Sequence, residues 1–296
     1  MKLDSLTKLI LKTLKDTFSG KLWKWLLGSA GSLFGILLFG KNFLNQPLEI
    51  SLYIGIGILL GLLILRIILF FIINVIQLLH FHYRESIYGD AIILLRDSFS
   101  KVHSLRKCEE IGDNEFTETM VVFCNNLKNI FEKKTKSKCS VSIKVPTKGS
   151  INEQSSVRNL CRDSIATKTR DTDLYRKVNH TIIGNTPYQK IVNNILKGNK
   201  EKLHYLNNDI NANGDYENTS REAYENGILP YSSELVYPLL PFTWDRKTNN
   251  YDCIGFICVD CETKNSFDDK YDVGIISGVA DGIYDIITLR NAQKEK

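Results

Sequence analysis

The feature that most constrains this chain is the apolar stretch from Ser51 to Leu79, in which Arg66 is the only charged residue. A transmembrane helix needs about 20 consecutive apolar residues, and this stretch exceeds that length. The sequence therefore predicts a helix that crosses a membrane. A polar domain follows it, because residues 100–296 are rich in Asn, Asp, Lys and Tyr and numerous enough to bury a core of their own.

Residues 22–39 form an earlier apolar stretch, which opens with the interfacial aromatic side chains Trp23 and Trp25. Together the two stretches predict a two-helix transmembrane hairpin over residues 22–79. Basic residues cluster before the first span and after the second. The positive-inside rule then places both termini in the cytoplasm and only residues 40–50 outside. We therefore predict a multi-pass protein of the inner or plasma membrane, in contact with membrane lipid.

The start of the chain carries a basic, amphipathic pattern. Leu6, Ile10 and Leu14 share one face of a helix over residues 3–18, and lysines occupy the other face. We predict an interfacial helix over residues 1–21 that lies along the inner leaflet, with a solvated basic leader as the alternative. Much of the net charge of +5 lies here, which favours a membrane surface as the partner. No binding to a nucleic-acid duplex is expected.

Within the second span, Arg66 shares one helical stripe with Gln77, and Asn74 flanks it. A charge inside a membrane usually faces protein or water, so the stripe is predicted to face other protomers or an aqueous path. The alternative is that the span ends near Phe70 and Arg66 reaches the inner interface. Glycines on the side of the second span opposite the stripe, together with glycines of the first span, are predicted to pack the two helices together. These are Gly31, Gly35, Gly57 and Gly61.

The seven cysteines are an odd number scattered through apolar runs, which favours reduced, buried thiols in a cytosolic domain. Cys258 and Cys261 have the spacing of a metal-binding pair but lie in a strand-like run. Residues three apart on a strand point to opposite faces, so these two thiols are predicted not to share a metal ion. We expect no metal site and no cofactor.

Residues 80–109 are predicted to form a helical stalk, and residues 110–296 a domain in which helices and strands alternate. The predicted order is helix Glu115–Lys133, strands Ser140–Val145 and Val157–Ser164, a loop and helix over Tyr175–Lys197, strand His204–Asp209, helix Glu222–Gly227, strands Ser232–Phe242 and Tyr251–Cys261, and helix Val273–Arg290.

Three stretches carry a resemblance to a known family: His204–Asp209, Leu235–Leu239 with its Leu-Val-Tyr-Pro-Leu pattern, and Ile254–Asp260, followed by Phe267–Asp272 and the closing helix. In this order they resemble the GAF domain, a small-molecule sensing module built on an antiparallel sheet. The resemblance covers about residues 113–290 and implies an α+β fold, an antiparallel sheet flanked by helices, with a sensing pocket. A PAS domain is the competing fold. Lys264 and Asn265 reverse the order found in some cyclic-nucleotide-binding members, so no ligand follows from the resemblance.

Candidate ligand contacts come from two sources. Strand alternation predicts that Arg158 and Arg162 point to one face of the second predicted strand. Paired arginines hold phosphate through forked hydrogen bonds, and the alternative is an edge strand with surface arginines. The resemblance to GAF domains adds residues at the positions that wall its pocket. These are Tyr188, Asp209, Glu234 and Tyr237.

The sequence contains no phosphate-binding loop, zinc-protease motif or nucleophile elbow, so we expect no enzymatic activity. No output-domain motif follows the closing helix, which predicts action through the membrane segment or a partner. The layout is similar to bacterial antiphage effectors in which a nucleotide second messenger gates a two-helix membrane domain. The sequence thus predicts a homo-oligomeric membrane effector gated by a small anionic ligand. A membrane-tethered adaptor that signals to a separate kinase or cyclase is the alternative, and a purely structural anchor is a third reading.

Overall fold

The computed structural model describes Gly28, Gly35 and residues 48–149, 151–170, 180–199, 203–212, 214–241 and 253–294. The predicted interfacial helix, the loop residues 40–47 and Gly31 lie outside the described residues, as does the first span except for Gly28 and Gly35. The chain divides into two compact units, Met1–Glu85 and Ser86–Lys296, and each is described by itself.

In the first unit, the described chain from Leu48 onward belongs to one helix, α1 (Leu48–Arg106), which passes through the division between the units. Its apolar part has the length and composition of a membrane-spanning helix, and its most apolar window is not buried against described residues. Ile64, Leu65 and Phe71 are each about half exposed. One helix that could cross a membrane is therefore found among the described residues. The two-span hairpin stays a prediction.

The second unit begins within α1, at Ser86, and its described residues add four helices and six strands. These are α2 (Asp113–Thr135), β1 (Cys139–Pro146), β2 (Ser156–Arg162), α3 (Ser164–Arg170), β3 (His180–Thr181), α4 (Thr186–Leu196), β4 (Tyr205–Asn207), β5 (Ser233–Leu239), β6 (Gly255–Cys261) and α5 (Tyr271–Lys294). Two 3₁₀ turns, Thr219–Ala223 and Glu225–Gly227, lie between β4 and β5.

The strands form one sheet in the order β3-β2-β1-β6-β5-β4, and each neighbouring pair is antiparallel. An antiparallel sheet flanked by helices is the predicted fold class, which is confirmed. The predicted second strand was too long, because Ser164 begins α3 instead of ending β2. Asp163 sets this boundary, since its carboxylate accepts hydrogen bonds from Ala166 N (2.9 Å) and from Val141 N (3.0 Å).

One face of the sheet, the helix face, packs against α1, α2 and α5. The β1 residues Val141 and Ile143 are fully buried there, together with aromatic and aliphatic side chains of α2 and α5. Val102 and Leu105 of α1 join this core at 2% and 7% exposure. The end of the predicted stalk is therefore part of the compact unit, because one side of that helix is apolar.

The other face, the pocket face, is covered by α4 and by the segment between β4 and β5. Phe256 is buried on this face, and the Tyr188 ring of α4 stacks on it with centroids 4.7 Å apart. Next to this aromatic pair, the buried side chains are charged instead of apolar. Lys144, Arg162 and Glu234 are 5%, 8% and 3% exposed. The charged end of the pocket face is where a functional site has to be sought.

Candidate ligand-binding site

A small cavity of about 20 Å³ lies at the charged end of the pocket face. It is lined by Ser140, Val141, Ser142, Lys144, Arg162, Ala166, Arg170, Tyr188, Asn218, Ser220, Tyr231, Glu234, Cys258 and Asp260. A groove of about 500 Å³ adjoins it, because five residues line both spaces. The shared residues are Ser140, Ala166, Arg170, Tyr231 and Asp260. The groove adds apolar side chains, among them Tyr224 and Pro230.

The register of β2 decides which arginine reaches the cavity. Arg162 pairs with Ser142 and Arg158 with Val145, and the register shifts between these pairs, which leaves Leu160 as an extra residue in β2. A bulge of one residue reverses the alternation of side chains beyond it. Arg162 therefore lies on the pocket face, whereas Arg158 lies beside Val145, which packs on the helix-face core, and is exposed. The prediction that both arginines share one face is wrong.

Three basic and two acidic side chains meet at the cavity. Arg170, at the end of α3, pairs with Asp260 through Nη1 and Oδ2 at 3.1 Å. Glu234 and Asp260 are directly opposite each other on β5 and β6. Among the described residues that line the cavity, Lys144, Arg162 and Arg170 exceed the two carboxylates by one positive charge if all five side chains are ionised.

Burial raises the pKa of Glu234 to about 8, and repulsion from Asp260 adds to the rise, against hydrogen bonding from Tyr216 and the attraction of Lys144. Burial also raises the pKa of Asp260, and Arg170 opposes that rise. At neutral pH Glu234 therefore tends to be protonated, and the positive excess grows. His180 adds no charge, because burial, Lys144 and Arg162 lower its pKa to about 3.

Tyrosines close the rest of the cavity. Tyr188 is buried between Phe256 and the cavity, its hydroxyl lies 3.6 Å from Cys258 Sγ, and Lys144 Nζ is 5.4 Å from its ring centroid. The Tyr216 hydroxyl donates to Glu234 Oε2 at 2.7 Å. Such a wall combines flat apolar surfaces with polar tips that orient a ligand.

Of the six predicted ligand residues, Arg162, Tyr188 and Glu234 line the cavity. Asp209 does not, because it lies after β4 and pairs with Lys264 at 2.8 Å. Tyr237 does not either, since it is three residues from Glu234 on one strand and packs on the helix-face core. Asp209, Tyr237 and Arg158 do not line this cavity, and their assignment as ligand contacts stays a prediction.

Three charged residues of the cavity were missed: Lys144, Arg170 and Asp260. For two of them, the pattern of the strand in the sequence could have indicated their position. Lys144 follows Ser140 and Ser142 on the polar side of a strand whose other side is Val141, Ile143 and Val145. Asp260 interrupts an apolar strand in the same way. Arg170 had none, because α3 was not predicted.

The predicted pore-facing residues all lie on α1. Arg66 and Gln77 are exposed, and the partly buried Asn74 donates from Nδ2 to Phe70 O at 2.8 Å within its own helix. No described atom outside the helix's own backbone lies within 4 Å of a Cβ placed at Gly57 or Gly61, or at Gly35. The facing partner of the predicted glycine surface, Gly31, is outside the described residues. The pore and packing assignments therefore stay predictions.

Comparison with known protein families finds none that matches the chain, and none of the curated proteins matches it. Solved structures do match. Several of them are GAF domains. One, from an Acinetobacter phosphoenolpyruvate-protein phosphotransferase, shares 11% identity and a TM-score of 0.42, covering 70% of this chain and 98% of that one. Another, from the corresponding protein of Coxiella burnetii, shares 9% identity and a TM-score of 0.42, covering 70% and 99%.

The chromophore-binding domain of a bacteriophytochrome from R. palustris also matches, at 8% identity and a TM-score of 0.39, covering 68% of this chain and 62% of that one. The first two structures are named as GAF domains, the family that the sequence resembles. Identities and scores at this level assign neither a ligand nor an activity to this chain.

Proposed function

We propose that the unit Ser86–Lys296 senses a small anionic ligand, of the class of nucleotide second messengers, and that the chain is a homo-oligomeric membrane effector which this ligand gates. The observation that carries the proposal is the cluster of Lys144, Arg162 and Arg170 around one buried cavity. Defence against phage is the setting in which such a layout would act. The proposal involves no catalytic step.

Electrostatics favour an anion at this place. Buried charges are costly unless opposite charges offset them. Asp260 offsets Arg170, whereas Glu234 offsets little at neutral pH because its raised pKa keeps it largely protonated. A phosphate or carboxylate group would add negative charge beside Lys144 and Arg162, and arginine side chains can donate forked hydrogen bonds to such a group.

The sizes of the two spaces suggest how such a ligand would lie. A cavity of about 20 Å³ holds about one water-sized group, so it cannot enclose a nucleotide. The adjoining groove of about 500 Å³ has the volume of ordinary ligand sites. We therefore place the anionic group at the mouth of the cavity and the body of the ligand against Tyr224, Pro230 and Tyr231.

Thermal stabilisation of the full chain in detergent tests the sensing role. Inorganic phosphate, cyclic mononucleotides and cyclic dinucleotides serve as probes, since a ligand that binds only the folded state raises the melting temperature. At least one probe should stabilise wild type and the matched control Arg158→Ala, but not Arg162→Ala. Equal stabilisation of all three proteins would place the binding site elsewhere, and no stabilisation by any probe would contradict sensing of this class.

The gating role is tested in liposomes that hold a fluorescent dye. The stabilising probe should release dye from vesicles with wild type and with Arg66→Lys, but not with Arg66→Leu, because the proposal needs a charge on the stripe. Release by Arg66→Leu at the wild-type rate would show that Arg66 only reaches the interface. Retention of dye by probe-saturated wild type would rule out gating and favour the adaptor that signals to a separate enzyme.

A further inference from the structure

Two cysteines face each other across the central strands of the sheet. Cys139 of β1 is directly opposite Cys261 of β6, and both are buried, at 4% and 1% exposure. The neighbouring pair is joined by Glu262 N donating to Lys138 O at 3.1 Å. The Cys139 amide turns away from β6 and donates to Glu132 Oε1 at 3.1 Å. Cys139 and Cys261 therefore form a non-hydrogen-bonded pair, the closer of the two kinds in an antiparallel ladder.

That register suits a disulfide. In a non-hydrogen-bonded pair the Cα atoms lie about 4.5 Å apart, and disulfides span Cα separations of roughly 4.4–6.8 Å. The two side chains point to the same face because the residues are direct partners. Cys258 is excluded as a partner of Cys261, since it lies three residues away and contacts Tyr188 on the opposite face.

An oxidant could reach this cysteine pair and react with it. Cys139 lines the groove of about 500 Å³ beside Lys138 and Ser140. The interaction with Cys139 is the main reason why the pKa of Cys261 falls to about 4 although burial opposes the fall, and the same interaction raises the pKa of Cys139. Thiolates are the reactive form of cysteine, so Cys261 is the sulfur expected to react first with an oxidant that enters the groove, and Cys139 is the thiol beside it.

We propose that Cys139 and Cys261 are a modification site at which hydrogen peroxide closes a disulfide between β1 and β6. One thiolate attacks the peroxide O–O bond, which gives a sulfenic acid and, after protonation, water. The second sulfur attacks the sulfenic sulfur, the S–S bond forms, and the second water leaves. Two thiols and one peroxide thus give one disulfide and two waters. The next pair along the strands, Ser140 and Asp260, lines the cavity, although the modification does not depend on the proposed ligand.

A second thiol pair provides the internal control. Cys124 of α2 and Cys161 of β2 have their sulfurs 3.7 Å apart, but neither lines the groove or the cavity. The hydrogen bond with Cys161, burial and nearby charges raise the pKa of Cys124, so the Cys124 sulfur is held as a thiol. Nearness of sulfur atoms alone would predict oxidation here, whereas access and thiolate character predict it at Cys139 and Cys261.

The test treats the full chain in detergent with hydrogen peroxide, in a Cys108→Ser background because Cys108 is exposed. After alkylation without reduction, peptide mapping should find a Cys139–Cys261 link and the loss of two of the six remaining thiols. Dithiothreitol should restore both. Cys139→Ser should lose the link and leave a dimedone-reactive sulfenic acid at Cys261, and Cys124→Ser should behave like the background protein.

Two results would overturn the proposal. One is a Cys124–Cys161 link in place of the expected one. The other is unchanged thiol content under peroxide concentrations that oxidise an exposed cysteine in the same sample. Both readings come from peptides of the parent protein, so they do not depend on the folding of any cavity-lining variant.

Discussion

The two faces of the sheet are buried to a similar degree and are built in different ways. On the helix face, Val141, Ile143 and Phe123 are fully buried and belong to one apolar core. On the pocket face, Lys144 and Glu234 are nearly as buried but carry charge. Apolar burial stabilises a fold, whereas buried charge rarely does so by itself. This difference is the reason for placing the proposed ligand site at the charged end of the pocket face.

The largest expected effect comes from removing the α1 contribution to the helix face. A fragment of residues 86–296 should unfold cooperatively, whereas a fragment of residues 110–296 should not, because it lacks Val102, Leu105 and the Phe99 ring that packs edge-on against Phe123. Each buried side chain of this kind is worth about 1.5–3 kcal/mol. Urea unfolding followed by circular dichroism compares the two. Equal midpoints would show that α1 does not belong to the domain.

A single core truncation should be the next largest effect. Phe123→Ala should lower the free energy of unfolding by about 3–5 kcal/mol, because it leaves a cavity in the helix face. Affinity for the stabilising probe, measured on the folded fraction, should not change, since the site is on the other face. A loss below about 1 kcal/mol, or a parallel loss of affinity, would mean that the two faces are not separate in function.

The next effect in size is expected in the dependence of the free energy of unfolding on pH. The pKa of Glu234 is raised to about 8 in the folded state, above its ordinary value of 4.5, so its contribution is full below pH 4.5 and is lost as pH rises toward 8. Within that window one such group lowers the free energy of unfolding by roughly 1 kcal/mol for each pH unit of increase. Glu234→Gln should flatten the profile between pH 5 and 8. A profile with the wild-type slope would show that Glu234 is ionised in the fold.

The smallest effect is expected at the arginine that the bulge removes from the site. Arg158→Ala should change the free energy of unfolding by less than about 0.5 kcal/mol, because the side chain is exposed on the helix-face side of β2. Probe affinity should also match wild type. A loss of affinity similar to that of Arg162→Ala would show that the register of β2 differs in solution.

The strand and helix order could be predicted because alternation and helical periodicity are local properties. Ser140–Val145 alternates without a break, and β1 follows it with one more residue at each end. The faces of β2 could not be predicted, because the bulge at Leu160 arises from pairing with β1, which no local pattern records. The short elements α3 and β3 were missed for a related reason: seven and two residues hold too little periodicity.

The site residues also divide into those that the sequence could predict and those that it could not. Glu234 and Tyr188 were found from the resemblance, and Arg162 from its charge on a strand. Lys144 was overlooked although it follows Ser140 and Ser142 on the polar side of its strand. Arg170 could not be found, because only the end of α3 brings it to Asp260.

The central claim, that the charged end of the pocket face binds an anion, is tested most directly by calorimetric titration of the full chain in detergent with inorganic phosphate. Wild type and Arg158→Ala should show saturable heat with one site per chain. Arg162→Ala should bind roughly ten- to a hundredfold more weakly, as expected for the loss of a charge-assisted hydrogen bond. No saturable heat in wild type, or equal weakening by both substitutions, would contradict the claim.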